Sequence, residues 1–377
     1  MKILAFGGSF DPPHKGHAAL LSAAARAVDP DIILVVPAWR NPLKARLPAS
    51  AQDRLEMIRL GVLAGLPGQW RRRAWIYTGE LSSGRPVYTV DTLALLAREF
   101  PACELHFAVG WDAAAEFSAW KQPGRLKSLA RWWTARRPGA CGEPPSFFRR
   151  LRAPMPAVSS SEIRAQLLLG DDSSGMVSDA VSAYIHKRRL YDFGRLARLK
   201  RMLGAERFEH SRLVARLAGA LARRWGVDEQ SALLAGLLHD CGRSIPVAGM
   251  ARYARRRRLP APHREETARR QPLLLHAYIS ADLCRRRFGV RDPAILSAVR
   301  KHNLGGSPMS RLDTIIYVAD ACSQDRAYLE AAELRRTAFD DLEQARKVCV
   351  RQKLRHCLDQ GVWIHPETLN AWNRLAG

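Results

Sequence analysis

A glycine-rich turn near the start of the chain constrains the fold more than any other feature. Residues 7–17 read Gly-Gly-Ser-Phe-Asp-Pro-Pro-His-Lys-Gly-His and directly follow an apolar run, residues 3–6, with the composition of a buried strand. Helical residues 18–27 come next. A strand, a tight glycine-rich turn and a helix present backbone N–H groups and a helix N-terminus to a phosphate. The turn therefore predicts an α/β nucleotide-binding fold in which His14 and His17 face one phosphoryl group.

The first half of the chain alternates between short apolar runs and helical periodicity. Further strands are predicted at residues 32–36, 105–109 and 131–134. Helices are predicted between them at residues 51–64, 89–99 and 125–129. Buried strands that alternate with helices are typical of a doubly wound parallel sheet covered on both faces. We therefore expect an α/β doubly wound, Rossmann-like first domain.

The second half shows helical periodicity without a convincing strand. Leucines recur on one helical face at Leu213, Leu217 and Leu221. This change predicts an all-α domain and places a boundary near Gly194, between a domain of residues 1–193 and one of residues 194–377. A chain of 377 residues is also long for a single domain.

Charge and cysteine content limit the class of protein. The net charge of +24 favours a mixture of solvated arginine-rich helix faces and attraction of small polyanionic substrates over nucleic-acid binding, because no nucleic-acid-binding motif accompanies it. The seven cysteines form no C-x-x-C pair, which indicates reduced thiols rather than a disulfide framework. No apolar run approaches the length of a membrane span. We therefore expect a cytoplasmic protein without a membrane partner.

The glycine-rich turn belongs to a longer set of motifs. Its His-x-Gly-His ending is the signature of nucleotidyltransferases, and related blocks follow in order at residues 37–44, 88–93, 110–112 and 159–164, with Trp120 between the last two. Together they resemble the bacterial nicotinate-mononucleotide adenylyltransferase family. The resemblance implies adenylyl transfer from ATP, with Mg²⁺, to nicotinate mononucleotide, which yields deamido-NAD and pyrophosphate in NAD biosynthesis.

The same resemblance implies a role for individual residues. Catalysis would fall to His14, His17, Lys44 and Arg164. ATP would contact Gly7, Gly8, Ser9, Phe10 and Ser160. Nicotinate mononucleotide would contact Thr89, Asp112 and Trp120, with Thr89 expected to cap a helix that binds the mononucleotide phosphate. The phosphate nucleophile is already ionised, so catalysis would consist of positioning and charge stabilisation. Leu43 stands where the family usually has a histidine.

Histidines and aspartates recur at helix ends in the second half. An apolar helix ends in the adjacent pair His239-Asp240, which is the signature of HD metallohydrolases. The further candidates for metal ligands are His210, His276, His302 and Asp320. This set could hold two transition metals, iron first and manganese or zinc as alternatives, which is phosphohydrolase chemistry. We expect Asp240 to bridge the two metals.

The segment from His210 to Asp320 resembles the YqeK-type HD domain. That resemblance implies symmetrical hydrolysis of diadenosine tetraphosphate to two ADP, with Arg326 as a phosphate contact. Residues 363–366, Trp-Ile-His-Pro, also match the family. Residues 323–326 read Ser-Gln-Asp-Arg, where the family usually has Glu-Pro-Asn-Arg.

The expected partners are ATP, nicotinate mononucleotide and diadenosine tetraphosphate, with a homodimer left open. Two alternatives stay open for function. The HD domain could be a nucleotide-sensing or interaction module without hydrolase activity. The first domain could use another phosphate acceptor, such as phosphopantetheine, although residues 7–13 and Trp120 argue against it.

Overall fold

The computed structural model of the chain describes residues 1–39, 49–191, 193–326 and 330–376. The chain divides into two compact units. The first comprises residues 1–167 and 171–193, and the second comprises residues 168–170 and 194–377.

The first unit is built on one parallel sheet. Its strands are β1 (Lys2–Gly8), β2 (Ile32–Pro37), β3 (Ala74–Ile76), β4 (Glu104–Ala108), β5 (Arg131–Thr134) and β6 (Arg149–Arg150). They lie in the order β3-β2-β1-β4-β5-β6, and every neighbouring pair is parallel. In register, Phe6 of β1 lies between Val35 of β2 and Ala108 of β4. The order reverses between β1 and β4, where open α/β sheets bind ligands beyond the carboxyl ends of their strands.

Most helices of this unit lie between strands of the sheet, and the last two follow its final strand. They are α1 (Lys15–Val28), α2 (Ala51–Ile58), α3 (Gly68–Arg71), α4 (Gly79–Ser82), α5 (Thr89–Glu99), α6 (Trp111–Ala115), α7 (Pro123–Leu129), α8 (Ser160–Leu169) and α9 (Asp179–Arg188). A π-helical turn, Arg59–Leu63, extends α2, and a 3₁₀ turn, Phe117–Ala119, follows α6. Apolar cores cover both faces of the sheet, as its near-continuous apolar strands require: Leu4 and Phe6 belong to one core, and Ile3 and Ala5 to the other.

The predicted doubly wound sheet is confirmed, with two additions to the strands. β3 has three residues, and β6 has two in a proline- and glycine-rich stretch, so neither is long enough for an alternating pattern to be recognised. The helix expected over residues 51–64 is divided, because its second half is the π-helical turn.

Helices are the regular secondary structure found among the described residues of the second unit. Its helices are α10 (Phe193–Met202), α11 (Ala205–Trp225), α12 (Glu229–Leu238), α13 (Val247–Arg256), α14 (Arg264–Arg270), α15 (His276–Arg287), α16 (Pro293–Lys301), α17 (Arg311–Cys322), α18 (Glu330–Asp340), α19 (Leu342–Asp359) and α20 (Pro366–Ala376). Short 3₁₀ turns, Cys241–Ser244 and Pro272–Leu275, precede α13 and α15. The predicted all-α domain is confirmed.

Helix α17 lies at the centre of this unit. Nine of its twelve residues are buried, and it packs against α11, α12, α16, α18 and α19. Helices α11 and α12 approach closely because residue 236 is glycine: a Cβ there would lie 2.7 Å from Cα of Ala215. This packing brings the end of α12, the interior of α11 and the end of α17 together. Among the described residues, no helix has the length and apolar character needed to cross a bilayer.

Candidate active site and candidate metal centre

A cavity of about 340 Å³ lies at the reversal point of the sheet. The glycine-rich turn after β1 forms one wall, with Gly7, Gly8 and Ser9. Tyr88, Thr89 and Trp120 line other parts of the cavity, and Phe107 of β4 borders it. Gly7 has to be glycine here, because a Cβ at this position would lie 2.5 Å from the ring of Phe107. The structure thus brings together several residues predicted to contact ATP and nicotinate mononucleotide.

The two histidines of the turn lie against each other, with ring centroids 3.7 Å apart. The backbone N–H of His14 donates to Nδ1 of His17 over 3.2 Å. Nδ1 of His17 is therefore an acceptor, which leaves the ring proton on Nε2. Burial, with the charge of Arg137, lowers the pKa of His14 to about 3, so its imidazole is neutral without ligand. Phe10 packs its ring 5.0 Å from that of His17 and adopts a left-handed backbone, φ 50°.

Two arginines hold this turn through its carbonyl oxygens. Arg54 is 2% exposed and donates to the carbonyls of Ser9 and Ala38, each over 2.8 Å. Arg164 donates to the carbonyl of Asp11 over 2.7 Å and to Ser161 over 3.1 Å. In the same region Ser160 donates from Oγ to the carbonyl of Pro12 over 2.9 Å. The α8 residues predicted to hold ATP phosphates are thus bonded to the turn itself.

The remaining predicted residues of the first site are Thr89, Asp112 and Lys44. Helix α5 begins at Thr89, but its N-cap is Tyr88, in extended conformation, and no side chain in the described part of the chain caps it. The expectation that Thr89 caps the helix is therefore wrong, because Thr89 is already the first helical residue. Asp112 accepts hydrogen bonds from Arg137 at 2.9 and 3.3 Å, while its neighbour Ala113 lines the cavity. Lys44 lies outside the described residues.

Glu80 is a cavity residue that the sequence motifs did not indicate. Its carboxyl group is buried and accepts a hydrogen bond from Oγ1 of Thr92 over 2.7 Å. Burial raises the pKa of Glu80 to about 7, although the Thr92 hydrogen bond opposes the shift. A single acid in a four-residue helix carries no sequence signal of this position.

The predicted metal ligands of the second unit converge from separate elements. His210 lies in α11, His239 and Asp240 follow α12, His276 begins α15, His302 follows α16, and Asp320 lies near the end of α17. Two overlapping groups have ligand atoms that all lie within 4.8 Å of one another: the group of His210, His239 and Asp320, and the group of His239, Asp240 and His302.

All four imidazoles direct Nε2 toward these carboxylates. Nε2 of His210 lies 3.1 Å from Oδ1 of Asp320, and Nε2 of His276 lies 3.2 Å from Oδ1 of Asp240. Nε2 of His239 lies 3.7 Å from Asp320 and 4.0 Å from Oδ2 of Asp240. Nε2 of His302 lies 3.8 Å from Oδ1 of Asp240. The two oxygens of Asp240 thus face different histidines.

Hydrogen bonds at the opposite nitrogen determine the tautomer of three rings. Nδ1 of His239, His276 and His302 lies 2.7 Å from the carbonyl oxygen three residues earlier in each case. A carbonyl only accepts, so Nδ1 carries the proton and Nε2 presents a lone pair. Nε2 of His276 and of His302 lie 3.0 Å apart, where two lone pairs repel unless a cation or proton lies near them.

This donor set fits a divalent metal centre. Nε2 of His239 is buried and has no hydrogen-bond partner among the described residues, as expected of a metal ligand. Burial, with the neighbouring imidazoles, lowers the pKa of His302 to about 3, which keeps that ring neutral. Burial alone would raise the pKa of Asp240, but His239 and the other imidazoles hold it well below its ordinary value. Neutral imidazoles and ionised carboxylates are the states that bind transition metals.

Three arginines surround the same carboxylates. Arg207 donates to Oδ2 of Asp240 over 2.7 Å, and Nε of Arg243 lies 4.0 Å from that oxygen. Arg326 donates to Oδ1 of Asp320 over 2.8 Å. Arg326 was predicted from the sequence, but Arg207 and Arg243 were not. Arg207 precedes His210 by three residues, and this spacing on one helix face is the signal that could have indicated it.

Comparison with known proteins agrees with the two predicted classes of domain. Residues 5–166 match the Cytidylyltransferase-like family model, and residues 207–325 match the HD domain. A Mycoplasma genitalium protein named as a probable nicotinate-nucleotide adenylyltransferase/Ap4A hydrolase is 26% identical, over 91% of this chain and 95% of its own length. A Thermus thermophilus protein named as a probable nicotinate-nucleotide adenylyltransferase is 38% identical, over 51% of this chain and 100% of its own.

Among solved structures, a predicted HD superfamily hydrolase involved in NAD metabolism from Clostridium acetobutylicum is 30% identical. The match covers 48% of this chain and 94% of that protein, with a TM-score of 0.46.

The fold and the two sites define a nucleotidyltransferase domain joined to an HD domain. Since relatives more than 30% identical are covered almost completely, the chain belongs to the nicotinate-nucleotide adenylyltransferase family. The resemblances predicted from the sequence are confirmed, and the HD match, with its histidine and aspartate cluster, implies divalent metal binding.

The ring of His14 is half-buried, and its desolvation predicts its pH behaviour. Its pKa of about 3 lies below the value of about 6.5 for an unfolded imidazole. The resulting stabilisation is full above about pH 6.5 and is lost progressively toward about pH 3, because the unfolded state takes up the proton first. NMR of the ligand-free protein, with the His14 signal assigned through His14→Gln, should show a neutral ring at about pH 5. A titration midpoint between about pH 6 and 7 would contradict this burial argument.

Proposed function

We propose that the chain is a bifunctional enzyme. Residues 1–193 would transfer the adenylyl group of ATP to nicotinate mononucleotide, giving deamido-NAD and pyrophosphate. Residues 194–377 would hydrolyse diadenosine tetraphosphate symmetrically to two ADP. The observation that carries the proposal is the cluster of four inward-facing imidazoles and two carboxylates in a chain with an adenylyltransferase domain. The name of the similar Mycoplasma genitalium protein pairs the same two activities.

In the first site, the chemistry would be positioning and charge stabilisation. Mononucleotide phosphate would attack the α-phosphorus of ATP, and pyrophosphate would leave. Nε2 of His17 carries a proton and can donate to the pentavalent phosphorus centre. We assign the neighbouring His14 the same role. We propose that Mg²⁺, Lys44 and Arg164 share the charge of the ATP phosphates, with Arg164 also keeping the turn in position.

The cavity wall supports the assignment of the acceptor. Trp120 is half-buried and packs 5.5 Å from Phe117 and 5.9 Å from Trp132, ring centroid to ring centroid. This packing leaves a supported aromatic surface on the cavity, suited to a nicotinate ring. We propose that Thr89 and Asp112 also position the mononucleotide. An aromatic wall suits a flat pyridine ring better than the flexible chain of phosphopantetheine, the alternative acceptor.

In the second site, the ligands divide into two sets. We propose that His210, His239 and Asp320 would hold one metal and His276 and His302 the other, with Asp240 as the bridging carboxylate ligand that both would share. When bound, two metals supply Lewis-acid activation of water and of a phosphoryl oxygen. Iron is the proposed metal, with manganese and zinc as the alternatives.

The arginines favour a polyphosphate as the substrate of this site. Arg207, Arg243 and Arg326 place three guanidinium groups at the metal ligands, and all three are partly exposed to solvent. Their present partners are Asp240 and Asp320, whose oxygens the metals would take. The arginines can then hold phosphate oxygens, for which the guanidinium fork is well shaped. A tetraphosphate bridge offers enough anionic oxygens to use all three.

Substitution of His17 tests the first activity. His17→Ala should reduce deamido-NAD synthesis by roughly 10²-fold or more while ATP binding stays largely intact, because one donor to the transition state is lost. Turnover is measured by chromatography of products from ATP with nicotinate or nicotinamide mononucleotide. His186→Ala, at an exposed histidine of the same unit, is the matched control. Near-normal turnover in His17→Ala would refute the role assigned to His17.

Substitution of Asp240 tests the second activity. Asp240→Ala should lose bound metal and diadenosine tetraphosphate hydrolysis together, since one carboxylate serves both metals. Deamido-NAD synthesis by the same preparation is the internal control and should not change. Hydrolysis at the wild-type rate by a metal-free variant would refute the two-metal mechanism. Failure of the metal-loaded wild type to release ADP would refute the hydrolase and favour a nucleotide-sensing module.

A further inference from the structure

His210 differs from the other three histidines in how its outer nitrogen is held. Its Nδ1 lies 2.7 Å from Oδ2 of Asp325, a carboxylate, whereas the others face backbone carbonyls. Asp325 is itself held, because Oγ of Ser323 donates to its Oδ1 over 2.6 Å. Both residues follow the end of α17, the helix that carries Asp320. Asp325, in the segment after α17, thus contacts Nδ1 of His210, while Asp320 of α17 faces Nε2 on the opposite edge of the same ring.

The position of each histidine in its helix explains the difference. His239 and His302 stand at the C-caps of α12 and α16, and His276 directly follows a 3₁₀ turn. The last carbonyls of a helix have no backbone partner and can accept from a side chain. His210 instead lies inside α11, the helix Ala205–Trp225, where the carbonyls are used by the helix itself. An acceptor for His210 has to come from another part of the chain.

We propose that Asp325, supported by Ser323, is a positioning residue for the metal ligand His210. It holds the proton on Nδ1, fixes the plane of the ring and leaves Nε2 directed at the metal shared with His239 and Asp320. This inference rests on the metal centre of the proposed function. Outer hydrogen bonds of this kind typically account for about 10- to 100-fold in metal affinity. A carboxylate also makes the imidazole a stronger ligand than a carbonyl does.

The geometry separates Asp325 from the ligands themselves. Its Oδ2 faces Nδ1 of His210, while Asp320 faces Nε2 on the opposite edge of the same ring. The three-residue ligand group that includes His210 is completed by His239 and Asp320. The segment Ser323-Gln324-Asp325-Arg326 departs from the family pattern Glu-Pro-Asn-Arg. Its aspartate has a specific partner in this chain, Nδ1 of His210.

Metal binding to the full-length chain tests the proposal without depending on hydrolysis. The variants are Asp325→Ala, Asp325→Asn and Ser323→Ala, with Asp359→Asn as the control at an exposed aspartate of the same unit. Dissociation constants for Mn²⁺ and Zn²⁺ are measured on protein from which bound metal has been removed, together with the melting temperature of this metal-free form. Asp325→Ala should weaken one of two metal sites by about 10- to 100-fold and lower the metal-free melting temperature by no more than the loss of this local hydrogen-bond pair does.

The conservative variants separate positioning from a structural role. Asp325→Asn should recover most of the affinity, because its amide oxygen still accepts from Nδ1 of His210. Ser323→Ala should give a smaller loss than Asp325→Ala, and Asp359→Asn should match the wild type. Wild-type affinity in Asp325→Ala would overturn the proposal. So would equal loss at both metal sites accompanied by a larger fall in the metal-free melting temperature.

The same measurements distinguish this proposal from the proposed function. A wild type that binds two metals but does not cleave diadenosine tetraphosphate refutes the hydrolase, and the effect of Asp325 on metal affinity would still support positioning. A wild type that binds neither Mn²⁺ nor Zn²⁺ refutes the positioning role, while product analysis decides separately on hydrolysis.

Discussion

A hydrogen bond at the outer nitrogen of each imidazole is the interaction on which the metal centre depends. A neutral histidine can offer either nitrogen, so a ring without such a bond would present a mixture of donor and lone pair to the centre. Here Nδ1 of His239, His276 and His302 is bonded to a carbonyl, and Nδ1 of His210 is bonded to Asp325. The result is four Nε2 atoms that face the carboxylates of Asp240 and Asp320.

The helical packing of the second unit makes those bonds available. His239 and His302 stand where a helix ends and its last carbonyls can accept from a side chain. His276 follows a 3₁₀ turn, and the carbonyl of Leu273 in that turn lies within hydrogen-bond distance of its Nδ1 as well as accepting its backbone N–H. The close approach at Gly236 lets α12 lie against α11, the helix of His210. Burying the unpartnered lone pairs of such a centre would be costly unless metals occupy them. Metal binding would therefore add to the stability of this unit.

In the first unit, side chains also bind backbone carbonyl oxygens beside the candidate active site. Arg54 and Arg164 bind carbonyl oxygens of the turn that follows β1, so the turn has a defined shape before any nucleotide arrives. His14 and His17 stand on that turn. A site that is already arranged would require little reorganisation as negative charge develops on the phosphoryl oxygens in the transition state. Both sites thus depend on side chains that satisfy backbone carbonyls near the reacting groups.

The parts of this arrangement that could be predicted are those encoded locally. The alternation of apolar strands with helices predicted the doubly wound sheet, and the order of histidines and aspartates predicted which residues converge in the second unit. Arg54, Glu80 and Asp325 could not be predicted, because their partners are distant along the chain or unmarked by any motif. The N-cap of α5 is Tyr88, one residue before the predicted Thr89. The sequence pattern does not distinguish these two positions, because the first residue of a helix depends on local backbone conformation.

Diffraction from crystals of the full-length chain grown with Mn²⁺ tests the metal centre most directly. Anomalous difference maps should show two peaks, both bonded through Nε2 of the four histidines and joined by Asp240. Nδ1 of His210 should remain on Asp325. A single peak away from these ligands, or coordination through Nδ1 of any of the four histidines, would contradict the account.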